Sequence, residues 1–422
     1  MFSIRRRLLT RLLIRLLFVL LATALVLMFV LLLNFTSTGD DYEVPGDAFW
    51  TTTRSPRPTS TTASSPMRKR VVDVLSLKLL RNDTQLDVKP PVGPQYPRRW
   101  NMTACPPVYG KVGVFVAMVA SSYERFYRVA QESLKCYLKS TNYTFVLVDL
   151  WNDARVAAAC PHKHFFFRKH CASSVYLTDF DWMLVLDADA GVVNPNHCIE
   201  EWIDDSVDLV FYERFFNWEI ASGNYLAKNT KFARDFLRKW ADWEYTQPQN
   251  WNGADNGVLQ MHILQTVLPD AKAEHKACNR IWHRGTNYET YMAFVQCCKV
   301  FLGAHRVWPG KLRVLRRAHG FVRDWHLTMD AWSPYDFMLH GWKNNEIDTG
   351  GWESPFESAP NATECTGGLA GWNWRNKKRK SVVKIRKMLA DLERSAGRDF
   401  PKVARVHPYL SEPDVGECYP HC

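Results

Sequence analysis

The chain has 422 residues, 46% of them hydrophobic and 23% charged, with a formal net charge of +11. That balance excludes a disordered or low-complexity polymer and leaves room for one large core. Five of the positive charges are Arg5, Arg6, Arg7, Arg11 and Arg15, so the rest of the chain carries only +6, too little to argue for nucleic acid as a partner.

Leu16 to Leu33 is a run of 18 residues in which only Thr23 is polar, close to the ~20 that a helix needs to span the hydrocarbon core. The five arginines precede it and no acid does. The positive-inside rule therefore predicts a cytoplasmic tail over 1–15, a signal anchor over 16–33 and a lumenal remainder. A cleaved signal would end in a pair of small residues, which Leu31-Leu-Leu-Asn-Phe lacks. The short span suits a thin early-secretory bilayer, so the expected place is the Golgi or endoplasmic reticulum membrane, single-pass type II. Eleven cysteines fit an oxidising lumen, and the odd number leaves at least one thiol free or paired between chains.

Residues 34–107 read as a stem. Thr51 to Pro66 is a Ser/Thr/Pro tract that cannot bury a core, Val71 to Leu86 has the pattern of a short helix, and Pro90, Pro91, Pro94 and Pro97 mark a boundary. Asn82, Asn101, Asn142 and Asn361 head N-x-[S/T] acceptor sequences that such a topology would expose to glycosylation. A catalytic-type domain is expected over 108–350, followed over 351–422 by an extension carrying further cysteines.

Within that domain strands and helices alternate. Val112 to Val119 reads as a buried strand, Ser122 to Leu138 as an amphipathic helix, and Thr144 to Asp149 as a second strand. His164 to Val175 reads as a helix and Asp181 to Leu186 as a strand. Asp208 to Tyr212 follows as another strand, and Thr230 to Trp243 as a helix with Phe232, Phe236, Leu237 and Trp240 on one face. The alternation predicts an α/β fold with a mostly parallel sheet covered by helices on both faces. Ligands of such sheets lie beyond the carboxyl ends of the strands.

The run Trp182-Met-Leu-Val-Leu-Asp187-Ala-Asp189-Ala-Gly191 ends at that place. Asp187 and Asp189 offer hard oxygen ligands, and the small residues around them leave room beside the backbone. Mg²⁺ or Mn²⁺ held by one or two carboxylates completes its shell with substrate phosphates. Further on, Ser222-Gly223-Asn224 offers a close backbone approach and an amide able to donate to and accept from a sugar hydroxyl, or simply a turn. Gly253-Ala-Asp255-Asn256-Gly257 places two polar residues in a loop opening an apolar helix, where Asp255 could cap the helix or meet a substrate hydroxyl. Asp336-Phe-Met-Leu-His340-Gly341-Trp342-Lys343 puts an imidazole at the end of a short apolar strand and an ammonium three residues later.

Other clusters have plainer readings. Cys160-Pro-His162-Lys-His164 with His170-Cys171 matches no zinc spacing well, and a disulfide is the better expectation. The basic run Arg375 to Lys380, continued by Lys384, Arg386 and Lys387, reads as a solvated helix face. Trp372 and Trp374 could stack on sugar rings, but core packing is the better reading.

The order of motifs resembles metal-dependent, retaining nucleotide-sugar glycosyltransferases of the GT-A fold, a Rossmann-like arrangement for nucleotide-diphospho-sugars. It is similar to the galactosyl/mannosyl/xylosyltransferase family of Golgi membranes and more distantly to glycogenin-like enzymes. The wording around Leu186 to Pro195 looks closest to an uncharacterised, nematode-expanded family related to them. The resemblance implies a metal-dependent transfer of a hexose or pentose from a nucleotide-diphosphate sugar, UDP by default, to a glycan or glycoprotein acceptor. It implies Mn²⁺ (or Mg²⁺) on Asp187, Asp189 and His340, with Asp187 also touching ribose. Lys343 and Gly341 would meet the diphosphate. Asn224 and Asp255 would stand near the reacting carbon, with Gly223 and Asn256 beside them, and Arg168 or Lys169 would be a donor contact. The chain departs from those relatives in having Ala-Asp-Asn-Gly where Asp-Gln-Asp is common, and in lacking Pro-Trp after Lys343. A non-catalytic sugar- or nucleotide-binding relative of the same fold is the alternative.

Overall fold

The computed structural model describes residues 105–318, 320–343, 353–365 and 370–399, all within one compact unit. The anchor, most of the stem with its short helix, the acceptor sequences at Asn82 and Asn101, and Cys418 and Cys422 lie outside the described residues. No helix among the described residues is long and apolar enough to cross a membrane.

A seven-stranded sheet forms the centre. In chain order its strands are β1 (Val112–Met118), β2 (Thr144–Asp149), β3 (Trp182–Leu186), β5 (Leu209–Tyr212), β6 (Tyr225–Lys228), β7 (Val307–Trp308) and β8 (Leu312–Leu315), arranged β2-β1-β3-β6-β5-β8-β7. The strands β2, β1, β3, β5 and β8 share one direction, while β6 and β7 oppose it. The sheet is therefore mixed, though rich in parallel strands, where the sequence pattern predicted a mostly parallel one. The cause is β6, which returns antiparallel between β3 and β5, pairing Val185 with Tyr225 and Val210 with Leu226. A second sheet of three short strands, β4 (Gly191–Val192), β9 (Val322–Asp324) and β10 (Met338–His340), has β10 in its middle.

Eight helices surround these sheets among the described residues: α1 (Arg128–Leu138), α2 (Ala154–Ala159), α3 (Phe165–Tyr176), α4 (Lys231–Asp242), α5 (Ala254–Val267), α6 (Lys272–Trp282), α7 (Tyr288–Leu302) and α8 (Val382–Asp399). The expected helix from Ser122 is split: a wider π-type turn, Tyr123–Tyr127, leads into α1. The helix expected from Thr230 begins at Lys231, and Thr230 is its cap, accepting from the Ala233 N–H.

Period-two alternation in the central strands builds two cores. Phe115, Ala117, Met183 and Val185 face one, with Phe167 of α3, Trp240 of α4 and Ile263 of α5. Val114, Val116, Leu184 and Leu186 face the other, with Leu134 and Tyr137 of α1 and the small sheet. Trp372 is fully buried in this second core and stacks on Trp374, 5.1 Å between ring centroids, as core packing requires.

Among the described residues four disulfides fasten the frame: Cys105–Cys198, Cys136–Cys365, Cys160–Cys171 and Cys278–Cys297. Cys105, placed in the stem by composition, is thus tied into the body. The described part of the extension is tied in as well, by Cys136–Cys365 and by Ile385 and Leu389 of α8, which pack on Phe215. The basic run is not one helix face. Residues 376–378 form a 3₁₀ turn, Glu353 pairs with Arg375, Lys377 and Lys378, and α8 starts only at Val382.

Candidate metal and donor site

Strand β3 ends at Leu186, and Asp187 to Ala190 make the tight turn into β4. The turn is pinned on three sides. The Gln131 amide donates to the Ala188 carbonyl at 2.7 Å, the Trp342 N–H to the Asp189 carbonyl at 2.9 Å, and the Ala190 N–H to the Asp187 carbonyl at 3.1 Å. Strand β10 pairs antiparallel with β4, Leu339 against Gly191, and this delivers His340 to the same turn. Gly191 is required there, because a Cβ would lie 2.4 Å from the Trp342 ring.

One oxygen from each of Asp187 and Asp189 and a ring nitrogen of His340 lie within 4.8 Å of one another. His340 Nε2 is 3.3 Å from Asp189 Oδ1 and 3.6 Å from Asp187 Oδ2. The other ring nitrogen, Nδ1, is 2.8 Å from Asp324 Oδ1. That follows from the register, in which His340 of β10 stands beside Asp324 of β9. Arg214 reaches the same Asp324 oxygen at 3.1 Å. Two carboxylates and one imidazole fit a divalent cation such as Mn²⁺, and an outer carboxylate on the ligating ring is what orients such a ligand.

The charges interlock. Burial works to raise the Asp187 carboxyl, but Lys169 and His340 outweigh it and hold it well below the usual carboxylate range. Asp324 is likewise raised by burial and lowered more strongly by Arg214 and His340. Burial would lower the His340 imidazole, yet Asp189, Asp187 and Asp324 raise it well above its ordinary value. The pocket already concentrates negative charge, and a divalent cation would take the place of the imidazole proton.

The other expected residues fall in two groups. Gly223 is against the site: a Cβ there would lie 1.8 Å from Asp187 Oδ2. Lys169 joins the two halves, its ammonium bonding Asp187 Oδ1 and, at 2.7 Å, the Gly223 carbonyl. Asn256 accepts from the Ser222 N–H at 3.1 Å, tying the first turn of α5 to the Gly223 loop. Gly341, at φ +93°, turns the chain beside Trp325, and the half-buried Lys343 follows it.

Asn224 sits differently from the expectation. It is 1% exposed, its carbonyl accepts from the Asp187 N–H at 2.9 Å, and its amide donates to Tyr212 Oη at 3.0 Å. With both ends engaged it fixes Asp187 rather than facing a ligand. Asp255 is not a loop residue or a helix cap. Gly253 occupies the cap, at φ +76°, and Asp255 lies in the first turn of α5, 3% exposed, with its carboxylate on His170. Arg168 is turned away, donating to the Leu150 and His162 carbonyls at 2.8 and 2.9 Å. The zinc reading of residues 160–171 ends with the Cys160–Cys171 disulfide. Asp324, Arg214 and Tyr212 were not expected from sequence. The one signal for Asp324 is that it ends a short segment opened by the apolar pair Phe321-Val322, with Arg323 between, somewhat as His340 ends the run Met338-Leu339-His340.

The fold and site thus define a mixed α/β protein with an Asp-x-Asp turn completed by a distant histidine. The chain belongs to the family described as "Protein of unknown function, DUF273", whose model matches residues 134–352. No curated protein matches it. Among solved structures, a glycosyltransferase involved in glycosylation of the major capsid of PBCV-1 is similar at 13% identity and TM-score 0.33, over 55% of this chain and 93% of that one. The glycosyltransferase GlyE of Streptococcus pneumoniae TIGR4 is similar at 20% identity and TM-score 0.26, over 36% of this chain and 43% of that one. The apo form of GlyE is similar at 10% identity and TM-score 0.27, over 67% and 83%.

Proposed function

We propose that the chain is a metal-dependent glycosyltransferase that moves a hexose or pentose from a nucleotide-diphosphate sugar to a glycan or glycoprotein acceptor. The observation that carries the reading is the convergence of Asp187, Asp189 and His340 within 4.8 Å at the carboxyl end of a central strand. Asp187, Asp189 and His340 would hold Mn²⁺ or Mg²⁺, which when bound supplies Lewis-acid neutralisation of the donor diphosphate. Asp187 also meets the ribose. Lys343, three residues after His340, adds a positive point charge to the departing diphosphate. Gly223 leaves the space beside Asp187 that a bulkier residue would fill, and Asn224 holds the Asp187 backbone in place. Asp255 stands at the donor sugar. The acceptor hydroxyl oxygen forms its bond to the anomeric carbon as the bond to the phosphate oxygen breaks. The leaving phosphate takes the hydroxyl proton, and the anomeric configuration is retained. The apolar run over 16–33 and its arginine flank support a Golgi or endoplasmic reticulum address with this domain lumenal.

The test is turnover. The full chain, produced in a secretory host, is incubated with Mn²⁺ and a panel of nucleotide sugars, and free UDP or GDP is measured. Release from one donor, abolished by Asp189→Asn, is the expected result. Nucleotide-sugar binding without release, with or without added glycan acceptors, would instead identify a non-catalytic binding protein. A product of inverted anomeric configuration would refute the retaining course.

A further inference from the structure

Three consecutive residues of α3 each hold a different part of the molecule. Lys169 bonds Asp187 and the Gly223 carbonyl. His170 bonds Asp255, with Nε2 3.0 Å from Oδ2. Cys171 is joined to Cys160. A helix cannot present three successive side chains to one surface, so this turn is surrounded on several sides by the strands and helices that carry the site.

The surroundings of His170 are unusually specific. It is fully buried, Nδ1 lies 3.1 Å from Tyr225 Oη, and its ring stacks on Trp240 at 3.5 Å between centroids and 14° between planes. The indole N–H of Trp240 donates to the Asp255 backbone carbonyl at 3.2 Å. Asp255 is thus gripped at its main chain by α4 and at its side chain by α3. Burial lowers the proton affinity of His170 despite the pull of Asp255. The neutral ring has one tautomer that satisfies both neighbours: Nε2–H donates to Asp255, and Nδ1 accepts from the Tyr225 hydroxyl. A buried imidazole with both nitrogens committed and one face covered has no freedom to turn, and neither has the carboxylate it holds.

We propose that His170 is the positioning residue for Asp255, fixing the direction of that carboxylate, so that one turn of α3 sets Asp187 and Asp255 in a constant relation. The proposal rests on the transferase reading for its effect on turnover, but the grip itself is a separate physical claim.

Two variants separate the hydrogen bond from the packing. His170→Phe keeps a ring against Trp240 and removes the donor; His170→Gln restores an amide N–H near the place of Nε2. In the full chain we expect His170→Phe to lower kcat about 100-fold, the order of loss that misplacement by ~1 Å brings. Mn²⁺ affinity, read by electron paramagnetic resonance, should stay within about 3-fold, because Asp187, Asp189 and His340 are untouched. His170→Gln should recover most of the kcat. If the Phe variant does not fold, His170→Asn, whose amide is too short to reach Asp255, replaces it. Equal kcat for the donor-lacking and Gln variants would overturn the proposal. Should the wild-type chain turn over no donor, the transferase reading fails, and a thermal-unfolding cycle of His170→Phe with Asp255→Ala, which removes the acceptor, decides the grip alone. Non-additive Tm shifts support it, and additive shifts overturn it.

Discussion

Gly223 and Asp324 show how much of this site is decided by single atoms. A methyl group on Gly223 would overlap Asp187 Oδ2 at 1.8 Å, and the carboxylate cannot retreat without leaving Lys169. Gly223→Ala should therefore weaken Mn²⁺ binding by about 10-fold or more, measured by calorimetric titration, and lower Tm as well, because it disturbs the buried Lys169–Asp187 pair. Asp324→Asn leaves the three proposed ligands intact but weakens the hold on His340 Nδ1, and on the metal reading should cost about 10- to 100-fold in Mn²⁺ affinity. Asp330 provides a pH signature. Burial pushes its carboxyl up to about 7, even with the Trp342 indole donating to it at 2.7 Å. The folded state then binds this proton more tightly than the unfolded state. The stabilising contribution is full below the unfolded value of ~3.9 and is lost as pH rises through 7. Asp330→Asn keeps an acceptor for Trp342 and suits the positive φ of 59° at this position. It should stabilise the protein above pH 7, by up to about 4 kcal/mol, and not at pH 4, as denaturant titration at the two pH values would show.

At the level of elements, what was legible in the sequence is what is local. Trp182 to Leu186 is apolar at every position because both faces of β3 are buried, and the Asp-x-Asp after it marks the strand end without reference to anything distant. Met338 to His340 reads as a strand for the same reason. Pairing partners are not local. Nothing near residue 225 says that β6 returns antiparallel between β3 and β5, and nothing near 324 says that β9 lies beside β10 with Asp324 against His340. The role of Asn224 and the placement of Asp255 shifted for that reason too: Tyr212 and His170, which engage them, are 12 and 85 residues away. The expected helix over the extension failed at its first half because Glu353 draws Arg375, Lys377 and Lys378 into a turn. Helix α8 is held on the body by Arg317 and Glu393, 2.6 Å apart and 3% and 1% exposed. Glu393→Ala breaks this buried ion pair and should destabilise by about 3–5 kcal/mol, whereas Arg317→Met with Glu393→Leu should cost far less, as paired denaturation curves would reveal.

For the whole molecule, the disulfides carry a large share of the organisation. Cys136–Cys365 closes 229 residues of sequence, a loop that contains the site residues and every described strand except β1. Replacing both cysteines by alanine should lower stability by about 2–5 kcal/mol, seen as a fall in the denaturant midpoint, by releasing the unfolded chain from that constraint. The same long-range construction bears on synthesis. Asp187 and Asp189 leave the ribosome some 150 residues before His340, and β10 must slot between β4 and β9 before the imidazole arrives. A nascent chain lacking that last strand would own two carboxylates and no third ligand. Capture of a cation would then mark the moment at which the most distant pairing of the small sheet has closed, and ion retention would serve as a readout of completed folding.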